Sequence, residues 1–407
     1  MRVDLFENGP EAEVSLPTEV GVALAASTFV DARPVPGTTL WSLKPASKVG
    51  AISVGGVEVH VAPKIPVGRV VFLLAHSHGG VSWRYDTVEV KQAPDLLVAV
   101  VEAYERLASK ALLQGLMQGY RVVDEALPMI RGRIREADQV KRRFALPLPV
   151  EVRYDDFTVD TAENRLLRAA VSVARRLPGL GVGLRHRLLR LDLQLADVSL
   201  VARSHLEEWR PTRLNARLHD ALQLAQVIVD GSSFEPSGRG LTVTGFVVNM
   251  AKVFEDFVCA TLGPRLARLE GTVQTQDPWF LDGGAEVRMK PDLVWYADEG
   301  SPAAVVDAKY KAEKPEGFPD ADLYQMLAYC TAMRLPMGHL IYAKGNEQGA
   351  THHVVNADVT LRAHTLDLSA APEALLAQVD ALSETIAGRT LHANGDSLRK
   401  GPAEFRR

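Results

Sequence analysis

Two aspartates and a lysine near residue 300 have the types and spacing of a metal-assisted hydrolytic site. The segment VVDAKYK, residues 305–311, places Asp307 and Lys309 two positions apart in an apolar run. Side chains two apart on a strand share a face, so these two should lie side by side. A salt-bridged strand end is the alternative. Asp292 follows Pro291 and opens a second apolar run, LVWYA, so the two runs predict a hairpin with Asp292 facing Asp307.

Two facing carboxylates require a compensating charge. They repel by about 1 kcal/mol in water and several times more where water is excluded. A divalent cation removes that cost, and hard oxygen ligands suit Mg²⁺, which keeps several waters and meets substrate phosphates. We expect Asp292, Asp307 and the backbone carbonyl of Ala308 to bind Mg²⁺, with Mn²⁺ able to substitute. Lys309 would orient or help deprotonate the attacking water and balance charge on the phosphorane, while the metal does the larger part as Lewis acid.

Two helical segments supply further polar candidates. In DLYQMLAYC, Gln325 lies three positions after Asp322 and four before Tyr329, so the three share a helix face. This stripe could support Lys309 or hold a phosphate, and we favour that role for Gln325. A solvated helix face is the alternative for Tyr329 and Asp322. Glu255, in KVFEDFV, is a candidate for supporting the metal from behind its direct ligands, or is a simple exposed acid.

Four segments together resemble the McrC family, the nuclease subunit of McrBC-type modification-dependent restriction systems. They are NMAKVFEDFV, MKPDLVW, VVDAKYK and DLYQMLAY. Their order, a helix, strands and then a helix, is similar to the PD-(D/E)xK nuclease fold. The resemblance extends more weakly to VGAISVGGVEVHVAPKI, MIRGRI and TAENRLLRAAV. It implies that Asp292, Asp307, Lys309 and Gln325 are catalytic.

The resemblance also implies partners. A AAA+ GTPase ring would engage double-stranded DNA and translocate, while this chain would stimulate the GTPase and cleave as a Mg²⁺-dependent endodeoxyribonuclease in a defence complex. The sequence contains no G-x-x-x-x-G-K-[ST] motif and so has no phosphate-cradling loop of that type. Two alternatives stay open. One is a stand-alone PD-(D/E)xK nuclease acting on other DNA or on RNA, and the other is an interaction protein that mainly activates a partner NTPase.

Composition limits the class of protein. The 407 residues, 47% of them hydrophobic, allow two or three domains with real cores. A formal charge of −4 counts against a protein that holds DNA alone. The two cysteines have no metal-ligand spacing, and no signal peptide or membrane-spanning apolar run is evident. A cytoplasmic location is therefore expected, with no membrane partner.

The patterns along the chain, together with what the family resemblance implies about partner binding and the nuclease, predict an α/β protein with three parts. Residues 1–150 should form a strand-rich, partner-binding domain, with a hairpin around Gly55 and Gly56. Residues 151–240 should form a helical connecting region that ends in a loop at residues 232–240. Residues 241–407 should form the PD-(D/E)xK nuclease domain, a mixed sheet flanked by helices. The basic segment 129–144 is expected to be extended.

Overall fold

The computed structural model divides the chain into two compact units, Met1–Ala99 with Ser233–Arg407, and Val100–Ser232. It describes residues 1–77, 95–144, 146–236, 242–269, 271–297, 300–310, 320–343 and 349–397.

The amino-terminal part of the first unit contains two helices as well as the predicted strands. Its elements are β1 (Arg2–Phe6), β2 (Ala12–Ser15), α1 (Thr18–Ser27), β3 (Val30–Pro34), β4 (Leu40–Pro45), β5 (Lys48–Val54), β6 (Val57–Ala62) and α2 (Val67–Ser77). The expected hairpin is confirmed, because β5 and β6 pair antiparallel. Gly55 and Gly56 turn the chain between them at φ 54° and 78°, a conformation that glycine adopts at little cost.

Two strands from much later in the chain complete this region. β10 (Ser232–Pro236) and β11 (Thr242–Asn249) join a five-stranded sheet of order β1-β6-β5-β11-β10, and β2, β4 and β3 form a separate sheet. The expectation of a loop at residues 232–240 was therefore wrong for its first five residues, which pair as a strand. Residues 237–240 lie outside the described ranges.

The carboxyl-terminal part of the first unit is a mixed six-stranded sheet with helices. Its elements are α8 (Met250–Ala267), β12 (Thr272–Thr275), β13 (Trp279–Phe280), β14 (Arg288–Met289), β15 (Leu293–Tyr296), β16 (Pro302–Lys309), α9 (Asp320–Met333), β17 (Met337–Ala343), β18 (Thr351–Val354), β19 (Val359–Leu366) and α10 (Pro372–Ser397). The sheet order is β12-β15-β16-β17-β19-β18, and β13 pairs with β14. β16, β17 and β19 run parallel, and the other neighbours are antiparallel. The predicted mixed α/β class is confirmed.

β16 is a central strand, and its sequence reflects that position. Six of its eight residues are buried, from Ala303 to Ala308, as expected for a strand covered on both faces. α9 covers one face, where Met326 and Cys330 pack with Val305 and Leu340. This packing brings the acidic end of β16 under the polar residues of α9.

The second unit contains α3 from residue 100 onward and a three-stranded sheet with helices. The elements are α3 (Leu96–Leu112), β7 (Gly119–Leu127), β8 (Arg133–Ile134), α4 (Glu136–Arg143), β9 (Val150–Thr158), α5 (Ala162–Ala174), α6 (Val182–Gln194), α7 (His219–Gly231) and two short 3₁₀ turns, Arg203–His205 and Ala216–Leu218. The strand order is β7-β9-β8. The expectation of an extended segment at 129–144 was wrong in its second half, where two acids in the first turn and three cations in the last turn of α4 suit a helix.

None of the described helices combines the length and apolar composition needed to cross a membrane.

Candidate active site

The two predicted aspartates meet where the start of β15 lies beside the end of β16. These strands pair antiparallel with Leu293 opposite Val306, so the next step along the ladder sets Asp292 opposite Asp307. Both side chains are buried, with 7% and 2% of their surface exposed. The Oδ2 atom of Asp292 accepts a 2.8 Å hydrogen bond from the backbone N–H of Ala308. The predicted hairpin, with Asp292 facing Asp307, is thus confirmed.

Burial and mutual repulsion disfavour the ionised forms of Asp292 and Asp307. Burial first, and then the charge of Asp307, raises the pKa of Asp292 to about 8. Burial also raises the pKa of Asp307, although Lys309 acts in the opposite direction. A buried carboxyl pair with raised pKa values is typical of a functional site, since a bound cation would stabilise both charges.

Lys309 lies against Asp307, as the two-residue spacing predicts. Its Nζ atom forms an ion pair with Oδ2 of Asp307. Burial alone would lower the pKa of Lys309, but the carboxylate of Asp307 outweighs it and raises the pKa above its usual value. An ammonium in this place can orient water and offset negative charge, so the ion pair with Asp307 suits the orienting role predicted for Lys309.

Glu255 joins the site through a residue that the sequence did not single out. The Nε2 atom of Gln276 donates to Oδ1 of Asp292 at 2.9 Å and to Oε1 of Glu255 at 2.6 Å. Lys252 also donates to Oε1 of Glu255, at 2.9 Å. Glu255 is therefore linked to Asp292 by one shared amide group. Nothing in the sequence pattern marks Gln276, because its partners are 16 and 21 positions away and only the fold brings them together.

The polar stripe on α9 is present but mostly buried. The Nε2 atom of Gln325 donates a 2.7 Å hydrogen bond to the hydroxyl of Tyr329. Tyr329 and Asp322 are each only 2% exposed, so the solvated-face alternative was wrong for both. Asp322 accepts a 3.1 Å hydrogen bond from the hydroxyl of Tyr342 on β17. The stripe thus fastens α9 to the sheet, and Gln325 itself is exposed.

The donor set fits a hard divalent cation with an open coordination sphere. Each carboxylate oxygen of Asp292 accepts one N–H bond, which leaves lone pairs on both atoms for a cation. Within the described ranges, no three or more His, Cys, Asp or Glu side chains form a group suited to holding a metal. Two carboxylates and the carbonyl of Ala308 would leave positions for water and phosphate, which Mg²⁺ prefers.

Three arginines of the second unit lie within ion-pair distance of acids in the same unit. Arg142 and Arg143 both lie within ion-pair distance of the buried Glu151. Arg187 forms ion pairs with Glu102 and Glu105. These cations are therefore partly offset by carboxylates of the same unit.

Together, the fold and the site define a mixed α/β protein with two buried aspartates and a lysine at a strand junction. The model of the family described as McrBC 5-methylcytosine restriction system component matches residues 43–343. The chain belongs to this family, and the resemblance inferred from its motifs is confirmed.

A solved structure shares the fold at low sequence identity. One similar chain comes from the refined half-complex of a tetradecameric assembly of Thermococcus gammatolerans McrB AAA+ hexamers with bound McrC. The likeness covers 95% of this chain and 100% of that one, at 17% identity and a TM-score of 0.58. A second, from the cryo-EM structure of the T. gammatolerans McrBC complex, covers 65% of this chain and 88% of that one, at 19% identity and a TM-score of 0.42. No curated protein sequence matches the chain significantly.

Proposed function

We propose that the chain is the Mg²⁺-dependent DNA endonuclease subunit of a McrBC-type restriction complex, with a PD-(D/E)xK active site in the six-stranded sheet. The observation that carries the proposal is the buried pair of Asp292 and Asp307, with Lys309 in an ion pair with Asp307. Membership of the McrBC family supports it independently.

Each residue has a distinct task in phosphodiester hydrolysis. Asp292, Asp307 and the carbonyl of Ala308 would hold the cation. When bound, the metal supplies Lewis-acid stabilisation of charge on the phosphate. Lys309 would orient the attacking water and offset the charge that builds on the phosphorane.

Gln325 and Glu255 keep supporting tasks in this proposal. The exposed amide of Gln325 would meet a phosphate or the attacking water at the mouth of the site. Glu255 would support the metal through the hydrogen-bonded link to Asp292 that Gln276 provides.

The partner is part of the proposal. The similar solved assembly contains McrB AAA+ hexamers with bound McrC, and this chain carries no G-x-x-x-x-G-K-[ST] motif. A AAA+ GTPase ring would therefore supply nucleotide hydrolysis and DNA engagement. Because duplex affinity depends on phosphate neutralisation by Lys and Arg, a chain of net charge −4 would rely on the ring for DNA.

The test is cleavage of plasmid DNA, methylated or not, by the chain with and without its GTPase partner and GTP. We expect cutting of methylated plasmid with partner, GTP and Mg²⁺ or Mn²⁺, and none with Ca²⁺ or excess chelator. Full activity in chelator would rule out the metal mechanism. Rapid digestion of unmodified plasmid by the lone chain would favour the stand-alone nuclease.

A further inference from the structure

We propose that Gln276 is a positioning residue that ties Glu255 to Asp292, so that cation binding at the candidate site depends on a side chain that is not itself a ligand. This inference rests on the proposed function of the site. It assigns a role to a residue that neither the motif spacing nor the family description singles out.

The first support is the contact geometry. One nitrogen, Nε2 of Gln276, lies 2.9 Å from Oδ1 of Asp292 and 2.6 Å from Oε1 of Glu255. A primary amide nitrogen carries two hydrogens and no lone pair to offer. Both hydrogens are therefore used on carboxylates, and each carboxylate is fixed as an acceptor. Asp292 is held at its other oxygen by the N–H of Ala308, so its plane is fixed at both ends.

The second support is the choice of residue type between two acids. Lys252 already forms an ion pair with Glu255. A second lysine in place of Gln276 would leave less negative charge for a metal. A carboxylate would add a further negative group beside Asp292, Asp307 and Glu255. A glutamine amide brings Asp292 and Glu255 together while leaving their combined charge unchanged. Hydrogen bonds of this kind orient ligands and tune a metal site.

The third support is the backbone of Gln276 itself. The residue lies in the left-handed region at φ 56°, which is uncommon for a residue other than glycine. It comes directly after β12, where Thr275 pairs with Leu293. Its backbone N–H then donates a 3.1 Å hydrogen bond to the carbonyl of Asp292. Main chain and side chain thus both bind Asp292, and strained conformations of this kind cluster at functional sites.

The test compares calcium binding to the full chain by isothermal titration calorimetry, because we expect Ca²⁺ to occupy the site without supporting turnover. The variant is Gln276→Gly, since glycine accepts the left-handed backbone and removes the whole side chain, including the bridging amide. The control is Gln274→Ala, which truncates an exposed glutamine two positions earlier on β12. We expect calcium affinity to fall by about tenfold or more in Gln276→Gly and to change less than twofold in the control.

Thermal melting of the metal-free proteins separates this role from a structural one. Gln276→Gly should melt within a few degrees of the wild type, because the change relieves backbone strain. Should it unfold, Gln276→Asn provides the second variant, since asparagine also tolerates this backbone but is one methylene too short to bridge both acids. Wild-type calcium affinity in a folded Gln276→Gly or Gln276→Asn protein would overturn the inference alone. A wild-type chain that binds no calcium and, with its partner, cuts no DNA would overturn the proposed function as well.

Discussion

At the scale of single residues, Asp292 is held in an environment that disfavours its charge. Its carboxylate is 7% exposed and lies beside a second buried acid. The N–H of Ala308 and the amide of Gln276 provide hydrogen bonds but no positive charge. The site therefore stores an electrostatic cost that a divalent cation would remove.

This cost predicts a pH-dependent stability of the metal-free chain. In the unfolded chain, Asp292 ionises near its usual pKa of 3.8, whereas in the fold its pKa is about 8. The folded state therefore holds more protons between these values, and its free energy of unfolding falls as pH rises from about 4 to about 8. Asp292→Asn should remove this loss and raise Tm at pH 9 by several degrees, since 1 kcal/mol corresponds to roughly 2–4 °C for 150–250 residues.

Differential scanning calorimetry at pH 6 and pH 9 with excess chelator measures the effect. Asp320→Asn, at an exposed position at the start of α9, is the matched control and should keep the wild-type pH dependence. Added Mg²⁺ should raise the Tm of the wild-type protein at pH 9 back towards its value at pH 6, because the cation binds the folded state. An unchanged pH dependence in Asp292→Asn would show that ionisation of Asp292 is not what destabilises the folded chain at high pH.

Predictability from sequence differs among the site residues for a physical reason. Asp307 and Lys309 were predictable because both lie on one strand, where spacing fixes the face. Asp292 was predictable because a hairpin joins its strand to the next. Gln276 was not, since its contacts with Asp292 and Glu255 depend on how β12, β15 and α8 pack. No local pattern carries that information.

At the scale of elements, the close approach of α9 to β17 positions the site. Gly338 on β17 allows it, because a Cβ there would lie 2.6 Å from Sγ of Cys330 and 2.6 Å from atoms of Met326. α9 then brings Tyr329 and Asp322 onto the face of the sheet that carries Asp307. The close packing of α9 on β17 therefore depends on the absence of a side chain at Gly338.

Gly338→Ala should therefore destabilise the chain by about 1–3 kcal/mol, the usual cost of overpacking a core. Gly388→Ala is the control, because nothing lies within 4 Å of its added Cβ in α10. Alanine in a helix should stabilise the protein by roughly 0.5–1 kcal/mol. Urea unfolding gives both values, and a Gly338→Ala protein as stable as the wild type would contradict the packing described for α9.

Elements were predictable where the period of the pattern was clear. α8, α9 and β16 follow from continuous helical or apolar runs, and each lies where the sequence indicated. The polar stripe of α9 was harder to interpret. Asp322 and Tyr329 are polar residues at helical spacing, a pattern that also suits an exposed face. Only the folded structure shows that Asp322 is buried and accepts a hydrogen bond from the hydroxyl of Tyr342.

At the scale of the whole molecule, one compact unit is built from two segments that are far apart in the sequence, Met1–Ala99 and Ser233–Arg407. β11 pairs with β5 over six residue pairs, from Thr244 with Ser53 to Asn249 with Lys48. This pairing places a strand from beyond residue 241 in the sheet formed by the first sixty residues. It could not be predicted from sequence, because long-range pairing leaves no local signal. Partner binding by residues 1–150 stays a prediction.

A fragment of residues 1–150 should therefore fold poorly. It would leave β5 with β6 but without β11, its other neighbour. It would also lack Phe246, a fully buried side chain of β11, so an unpaired apolar edge would be exposed. The fragment 100–232 is the control, because it keeps all three strands of its sheet. Circular dichroism melts should show a cooperative transition for the control only. A cooperative melt of the 1–150 fragment would contradict the role given to β11.

The central claim is that Asp292, Asp307 and Lys309 form a metal-dependent nuclease site, and one measurement tests it most directly. It is the cleavage rate of methylated plasmid by Lys309→Ala in the assembled complex with the AAA+ GTPase, GTP and Mg²⁺. Because Lys309 would offset charge in the transition state, the rate should fall by about 10²-fold or more, with partner assembly intact. An Asp320→Ala complex should cut at the wild-type rate. A Lys309→Ala complex that cuts as fast as the wild type would contradict the account.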